Sequence, residues 1–120
     1  MPKKTLVLGA SENPSRYSFL AIQKLRKYQH PVLAIGNKKG MVADVPLITE
    51  MIPAEAIDTV TLYLSPQNQT NYIPYIFSLH PKRIIFNPGT ENESFKKQAL
   101  ENGIEAIEAC TLVMLGTNQY

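Results

Sequence analysis

The sequence is short of the features that mark several protein classes. It contains a single cysteine in 120 residues, which excludes a disulfide framework and a cysteine-based zinc site. No apolar run is long enough to cross a membrane, and no signal-peptide apolar region comes after the basic start, since polar residues appear by Ser11. A net charge of +2 is too small to indicate nucleic-acid binding by itself. We therefore expect a soluble, cytoplasmic protein with no nucleic-acid or membrane partner and no metal site.

The composition is that of an ordinary globular protein, with 44% hydrophobic and 18% charged residues. The length favours one domain, residues 1–120, with its own core. Short apolar runs between turn signals predict five strands: Thr5–Leu8, Val32–Ile35, Thr59–Leu64, Arg83–Phe86 and Ile104–Ile107. Apolar stripes and capping signals predict three helices: Arg16–Gln29, Thr70–Leu79 and Glu91–Asn102. Thr90 and Glu93 are read as a capping box for the third helix, and Gly103 as its left-handed end.

Two stretches give weaker signals. Val45–Ile48 fits either a short edge strand or an extended pass, and Cys110–Leu115 is predicted to be a short tail. The alternation of strands and helices favours an α/β fold, a Rossmann-like, doubly wound parallel sheet of about five strands in the order 3-2-1-4-5. In that order a ligand crevice would open between the first and fourth strands, flanked by Gly9–Arg16 and Asn87–Thr90.

The stretch Thr5–Tyr17 has the features of a phosphate site. A buried strand leads into the small residues Gly9, Ala10 and Ser11, and then into the helix-start signals Asn13-Pro14. Free backbone N–H groups and the helix dipole would both face an anion there, and Arg16 adds a fixed positive charge.

The residues after the second strand reduce the number of candidate nucleotides. The NAD fingerprint needs two further glycines after Gly9 and an acidic residue after that strand, and both are missing. Lys38 and Lys39 stand there instead, in a basic loop from Gly36 to Gly40. Lysines suit a ribose that carries a phosphate, which leaves NADP and coenzyme A (CoA) as candidates. The Walker pattern is absent, so ATP in a P-loop is not expected.

At this point the chain resembles the small single-domain CoA-binding proteins, which are similar to the N-terminal CoA-binding domain of the succinyl-CoA synthetase alpha subunit. The residues that carry the resemblance are Val7–Ser11 with Asn13-Pro14 and Arg16–Ser18, Lys38, Asn87-Pro88-Gly89 and Glu108-Ala109-Cys110. Before Pro66, where many members have basic residues, this chain has Leu64-Ser65. The resemblance implies CoA binding, with the pyrophosphate on the Gly9–Ser18 loop and helix and the adenosine 3′-phosphate near Lys38.

The residues expected to contact the ligand come directly after predicted strands or begin the first helix: Gly9, Ala10, Ser11, Arg16, Tyr17, Ser18, Asn37, Lys38, Lys39, Ser65, Pro66, Asn87, Gly89 and Cys110. His30 and His80 precede prolines at helix ends and are expected at the opposite edge.

No catalytic set is evident, so the leading hypothesis is a binding module for CoA or an acyl-CoA that acts as a sensor, carrier or subunit. This hypothesis is compatible with a protein partner or with a homo-oligomer. The alternatives are an NADP-dependent reductase or acyl-CoA-using enzyme completed by a partner, and an interaction domain without a ligand.

Overall fold

The computed structural model describes residues 2–120. Seven strands form one sheet: Thr5–Ala10 (β1), Val32–Gly36 (β2), Gly40–Val42 (β3), Val45–Ile48 (β4), Thr59–Leu62 (β5), Arg83–Phe86 (β6) and Glu105–Glu108 (β7). The helices are Tyr17–Lys27 (α1), Pro66–Gln69 (α2), Ile73–Leu79 (α3), Glu93–Glu101 (α4) and Thr111–Gly116 (α5), with a single 3₁₀ turn at Thr70–Tyr72. The α/β class is confirmed and all five predicted strands are present, but two further strands, β3 and β4, join them.

The order of the strands is β3-β4-β2-β1-β5-β6-β7, and every neighbouring pair is parallel except β3 with β4. The predicted order 3-2-1-4-5 is wrong, because the third predicted strand, β5, pairs with β1 and β6 instead of with β2. Its expected place beside β2 is taken by β4, at Val45–Ile48. The chain therefore reverses its direction across the sheet between β1 and β5.

Both faces of the sheet are covered. Successive side chains of a strand point to opposite faces, and consecutive residues of β1 are buried. Leu6 and Leu8 of β1 belong to a buried cluster that includes residues of α3 and α4. Val7, between them, belongs to a second cluster with Ile22 of α1 and Leu115 of α5. The helices thus lie in two layers, with α1 and α5 on one face and α3 and α4 on the other.

The predicted Thr70–Leu79 helix begins earlier and is interrupted. Ser65 precedes α2 in an extended conformation and Pro66 is its first residue, where the missing proline N–H has no cost. The 3₁₀ turn separates α2 from α3, and Pro74 lies in the first turn of α3, as expected. The predicted tail Cys110–Leu115 is also wrong, because Thr111–Gly116 is helical.

The third predicted helix is capped differently from the expectation. The cap of α4 is Asn92, whose Oδ1 accepts a hydrogen bond from the Phe95 N–H at 3.1 Å. Thr90 is not the cap, since its hydroxyl donates to the Asn87 carbonyl at 2.7 Å. Gly103 has φ of +75°, as the prediction of a left-handed end requires. Within residues 2–120, no helix has the length and apolar character needed to cross a membrane.

Candidate functional site

The loops after β1, β2, β5, β6 and β7 meet at one edge of the sheet, because these five strands are parallel. We call this the carboxyl edge. Gly9 and Ala10 are the last two residues of β1, and the other predicted ligand residues lie in these loops or in the first turns of the helices that come after them. The structure therefore brings the predicted residues to the same edge. The chain reverses its direction across the sheet between β1 and β5, however, and not between the first and fourth predicted strands.

The floor of this edge is backbone without side chains. Gly9 has φ of +89°, a conformation that side-chain-bearing residues rarely adopt, and a Cβ there would lie 2.7 Å from the Tyr63 carbonyl oxygen. A Cβ at Gly36 would collide with the Ala10 carbonyl oxygen. Both glycines are thus required by the close packing of β1 against β5 and β2. The same packing holds the loops after these three strands side by side.

The loop from Ser11 to Arg16 is held by its own polar groups. The Asn13 N–H donates to Ser11 Oγ at 3.0 Å, and Asn13 Oδ1 accepts from the Ser15 N–H at 3.0 Å and from Ser15 Oγ at 2.8 Å. The Arg16 N–H donates to the Asn13 carbonyl at 3.0 Å. Asn13 therefore stabilises a turn before α1 and does not cap the helix, which corrects its predicted role.

The start of α1 is open. Arg16 occupies the capping position with an extended backbone, and no side chain accepts a hydrogen bond from the first turn. The first N–H groups of a helix have no partner within it, so those of α1 remain available to an anion. Arg16 is exposed, Tyr17 is 70% exposed and Ser18 is buried. Within residues 2–120 the Arg16 guanidinium makes no ion pair.

The loop after β2 carries the basic residues. Asn37, Lys38 and Lys39 are all exposed. An acidic residue that sequence reasoning missed also reaches this loop: Glu12 Oε2 accepts a hydrogen bond from the Met41 N–H at 2.8 Å. No sequence pattern signals this contact, because it joins the loop after β1 to the start of β3, and α1 and β2 lie between them in the sequence.

Gln69 is a second residue that sequence reasoning missed. It is fully buried, and its Nε2 donates to the Leu64 carbonyl at 2.8 Å and to the Thr90 carbonyl at 2.7 Å. Its Oε1 accepts from Asn92 Nδ2 at 3.0 Å. Gln69 therefore fixes the loops after β5 and β6 relative to each other. Ser65 and Pro66, the predicted residues of the first of these loops, form the start of α2 beside it.

Asn87 lies beneath the edge and not on its surface. It is buried, and Nδ2 donates to Thr61 Oγ1 at 2.7 Å and to the Leu62 carbonyl at 2.8 Å, while Oδ1 accepts from the Thr111 N–H at 2.9 Å. Its side chain thus ties β6 to β5 and α5. Gly89, two residues on, is exposed with φ of +91°, and no atom lies within 4 Å of a Cβ placed there.

Cys110 is a free, half-buried thiol that directly precedes α5. Tyr63 approaches the same region, and burial raises the pKa of its phenol to about 12. The phenol therefore stays protonated at neutral pH and is not suited to act as a base. Within residues 2–120 there is no group of three or more His, Cys, Asp or Glu that could hold a metal ion.

The two histidines lie away from the predicted ligand residues. His30 ends the loop that enters β2, and its Nδ1 accepts from the Lys3 N–H at 2.8 Å. His80 ends α3 before β6, with φ of +50°. Both are therefore at the amino edge, as predicted. A cleft at that edge is lined by residues that include Lys3, Tyr28, His30 and Tyr120, and by none of the predicted ligand residues.

Comparison with known proteins identifies the family of this chain. Residues 3–116 match the family described as "CoA binding domain". The chain belongs to this family. The resemblance found in the sequence is thereby confirmed, and a CoA-binding domain is indicated for nearly the whole chain.

Solved structures share the fold. One described as "Crystal structure of uncharacterized protein" is 48% identical, with a TM-score of 0.97 over 100% of this chain and 99% of that one. A hypothetical protein from Pyrococcus horikoshii OT3 is 23% identical, with a TM-score of 0.85 over 97% of this chain and 83% of that one. A protein from Thermus thermophilus is 20% identical, with a TM-score of 0.86 over 99% of this chain and 91% of that one. The chain has no significant match among curated proteins.

Proposed function

We propose that this protein binds CoA or an acyl-CoA at the carboxyl edge and catalyses no reaction itself. Its sheet would serve as a Rossmann-like nucleotide scaffold, and the protein would act as a sensor, a carrier or a subunit of a larger assembly. The observation that carries the proposal is the open start of α1, which has no side-chain cap and has exposed Arg16 beside it. This end of α1 follows β1, and the chain reverses its direction across the sheet between β1 and β5. In α/β sheets, ligands bind at such a point of reversal.

The pyrophosphate of CoA would lie on the first turn of α1. The N–H groups there carry the positive end of the helix dipole, and the two anionic phosphates would complement both it and the Arg16 guanidinium. Gly9 leaves bare backbone next to that turn, with the small residues Ala10 and Ser11 after it. Small residues on this side let the diphosphate approach the main chain.

The two ends of the ligand would extend in opposite directions along the edge. The adenosine 3′-phosphate would lie over the loop after β2, where Lys38 and Lys39 are exposed. The pantetheine arm would pass the loops after β5 and β6, beside Ser65-Pro66 and exposed Gly89, toward the half-buried thiol of Cys110. The family match over residues 3–116 supports a ligand of this class.

The absence of a reaction is proposed from the chemistry of the polar groups along this edge. The Asn87 amide is occupied by three hydrogen bonds, and the Tyr63 phenol has its pKa raised to about 12 by burial. Neither can serve as a general base near neutral pH. A partner or a second copy would have to supply a general base.

Calorimetry with CoA, dephospho-CoA and NADP tests the assignment. We expect CoA to bind in the micromolar range or tighter and more strongly than dephospho-CoA, because two lysines face its 3′-phosphate. The double variant Lys38→Ala, Lys39→Ala should remove that preference. Lys97→Ala, which removes an exposed lysine from α4, is the control and should not change it. Equal affinities of the wild type for CoA and dephospho-CoA would exclude the lysines from the site, and tighter binding of NADP would favour a reductase.

A further inference from the structure

Glu12 places a carboxylate at the loop after β2, although no acidic residue comes directly after β2 in the sequence. Its Oε2 accepts from the Met41 N–H at 2.8 Å, at the start of β3. A Cβ at Gly40 would collide with the Glu12 side chain, so this glycine gives the carboxylate its place. The loop after β1 thus supplies the acidic group that the loop after β2 lacks.

The surroundings of this carboxylate match those of a ribose site. The ends of β1 and β2 are in contact, since Gly36 packs on the Ala10 carbonyl. Lys38 and Lys39 are exposed in the loop that leads from β2 to β3. A negative group and two positive groups are therefore presented by neighbouring loops, on the side of α1 where the adenosine end of the proposed ligand would lie.

One oxygen of the carboxylate is available to a ligand. Glu12 Oε2 is used by Met41, whereas Oε1 makes no hydrogen bond with any residue of the described part of the chain. The Glu12 side chain is also exposed. A ligand hydroxyl could therefore donate to Oε1 without breaking the contact that fixes the side chain.

In dinucleotide-binding folds, a carboxylate near the end of the second strand accepts a hydrogen bond from a free ribose 2′-hydroxyl, and a 2′-phosphate needs a basic residue instead. CoA has a free 2′-hydroxyl and a 3′-phosphate, whereas NADP has a 2′-phosphate. We propose that Glu12 is a specificity-determining residue that accepts from the ribose 2′-hydroxyl, while Lys38 and Lys39 pair with a phosphate at the 3′ position. This inference rests on the proposed CoA site and decides between its two candidate nucleotides.

A purely structural role for Glu12 makes a different prediction. If the side chain only joins the loops after β1 and β2, then Glu12→Gln should behave as the wild type, because the glutamine amide oxygen can still accept from Met41. If the carboxylate also recognises the ribose, the same variant should change the discrimination between phosphate positions, because it removes the negative charge and keeps the shape.

The test uses two small probes that differ only in the position of one phosphate, adenosine 3′,5′-bisphosphate and adenosine 2′,5′-bisphosphate. Their affinities are measured by NMR titration of the full-length wild type, Glu12→Gln and Glu91→Gln. The last is a matched control, because Glu91 Oε1 also accepts from a backbone N–H at the carboxyl edge, that of Gly89 at 2.9 Å. CoA is titrated into all three proteins.

We expect the wild type to favour the 3′,5′ probe, and Glu12→Gln to reduce that preference about tenfold, the scale of one charge-assisted hydrogen bond. Glu91→Gln should keep the wild-type ratio. If CoA binds the wild type but Glu12→Gln keeps the wild-type ratio, the role of Glu12 is refuted and the CoA site stands. If the wild type binds neither CoA nor the probes, the proposed function itself is refuted.

Discussion

Replacing Arg16 by alanine should weaken CoA binding and leave the fold intact. The guanidinium stands beside the uncapped first turn of α1 and makes no ion pair within the described chain. It can therefore turn to a phosphate without breaking an existing contact. Within residues 2–120 no side chain caps this turn, so nothing in the loop would replace the lost charge.

The magnitude of the expected loss depends on the type of contact. A hydrogen bond between an arginine and a phosphate oxygen is worth about 1.5–3 kcal/mol, which corresponds to a loss in affinity of roughly tenfold to a hundredfold. The free energy of unfolding should barely change, because Arg16 is exposed and buries little apolar surface. A cation at a helix start also opposes the helix dipole slightly.

The assay is calorimetric titration of CoA at low salt, with Arg26→Ala as the control. Arg26 is near the other end of α1, where it pairs with both Asp44 oxygens, at 2.8 and 2.9 Å, and donates to the His30 carbonyl. The control removes the same charge from the same helix, so its CoA affinity should match the wild type while its melting temperature falls. Equal losses in both variants would indicate a general effect of net charge.

Two further measurements separate a direct contact from an indirect effect. Added salt should narrow the gap between the wild type and Arg16→Ala, because screening weakens an exposed charge. Arg16→Lys should recover only part of the loss, since an ammonium group cannot make the two-pronged contact of a guanidinium. If Arg16→Ala binds CoA as tightly as the wild type at low salt, the loop before α1 is only a structural turn and the phosphate contact of Arg16 is refuted.

The remaining predictions concern other parts of the fold. His30→Ala and His80→Ala should leave CoA affinity unchanged in calorimetry, because both residues lie at the amino edge; a tenfold loss in either would contradict this. Burial lowers the pKa of His30 from its ordinary value of 6.5, so the folded state binds fewer protons than the unfolded state. The contribution of His30 to stability is therefore complete above that pH and should decline as the pH falls below it, through the lowered pKa of the folded state. If this is wrong, the free energy of unfolding will depend on pH equally in the wild type and in His30→Ala. Cys110 should form an adduct with CoA disulfide, detected as an intact-mass increase, and labelling only after denaturation would show that the thiol is inaccessible. Gln69→Leu should lower the free energy of unfolding by at least about 2 kcal/mol, because two carbonyls lose a buried donor, whereas Gln67→Leu on the exposed side of α2 should change it little.

The strands and the small-residue turn at the end of β1 can be predicted because their signals are local. β1 is buried on both sides and reads as a continuous apolar run, and the small residues from Gly9 come directly after it. The helix signals are less decisive, since Asn13 and Thr90 have the residue types of caps but form turns instead. Residue type alone does not decide between a cap and a turn.

The order of the strands could not be predicted because the sequence of β4 gives only a weak strand signal. β4 has four residues, one of which is Pro46, and its pairing with β3 depends on a hairpin with no strong turn signal. When β4 is not counted as a strand, the place beside β2 falls to β5. The error moves the reversal point of the sheet by one strand but keeps every predicted loop at the carboxyl edge.

The side chains that join the loops of the site were also beyond prediction. Asn87 is expected to line the crevice because it directly follows the strand β6, but its amide is directed inward to Thr61 and Thr111. The sequence gives no signal for the roles of Gln69 and Glu12, because each side chain forms hydrogen bonds with a segment that is distant in the sequence. Contacts of this kind depend on tertiary structure and leave no periodic pattern in the sequence.

Native mass spectrometry of the protein freshly purified from cells, before and after addition of CoA, tests the proposed CoA site most directly. We predict that the protein carries CoA or an acyl-CoA, or takes up one CoA per chain when it is added, and that Arg16→Ala retains less of it under the same conditions. A protein that stays free of ligand when CoA is added, or that is recovered with NADP bound, would contradict the proposed site.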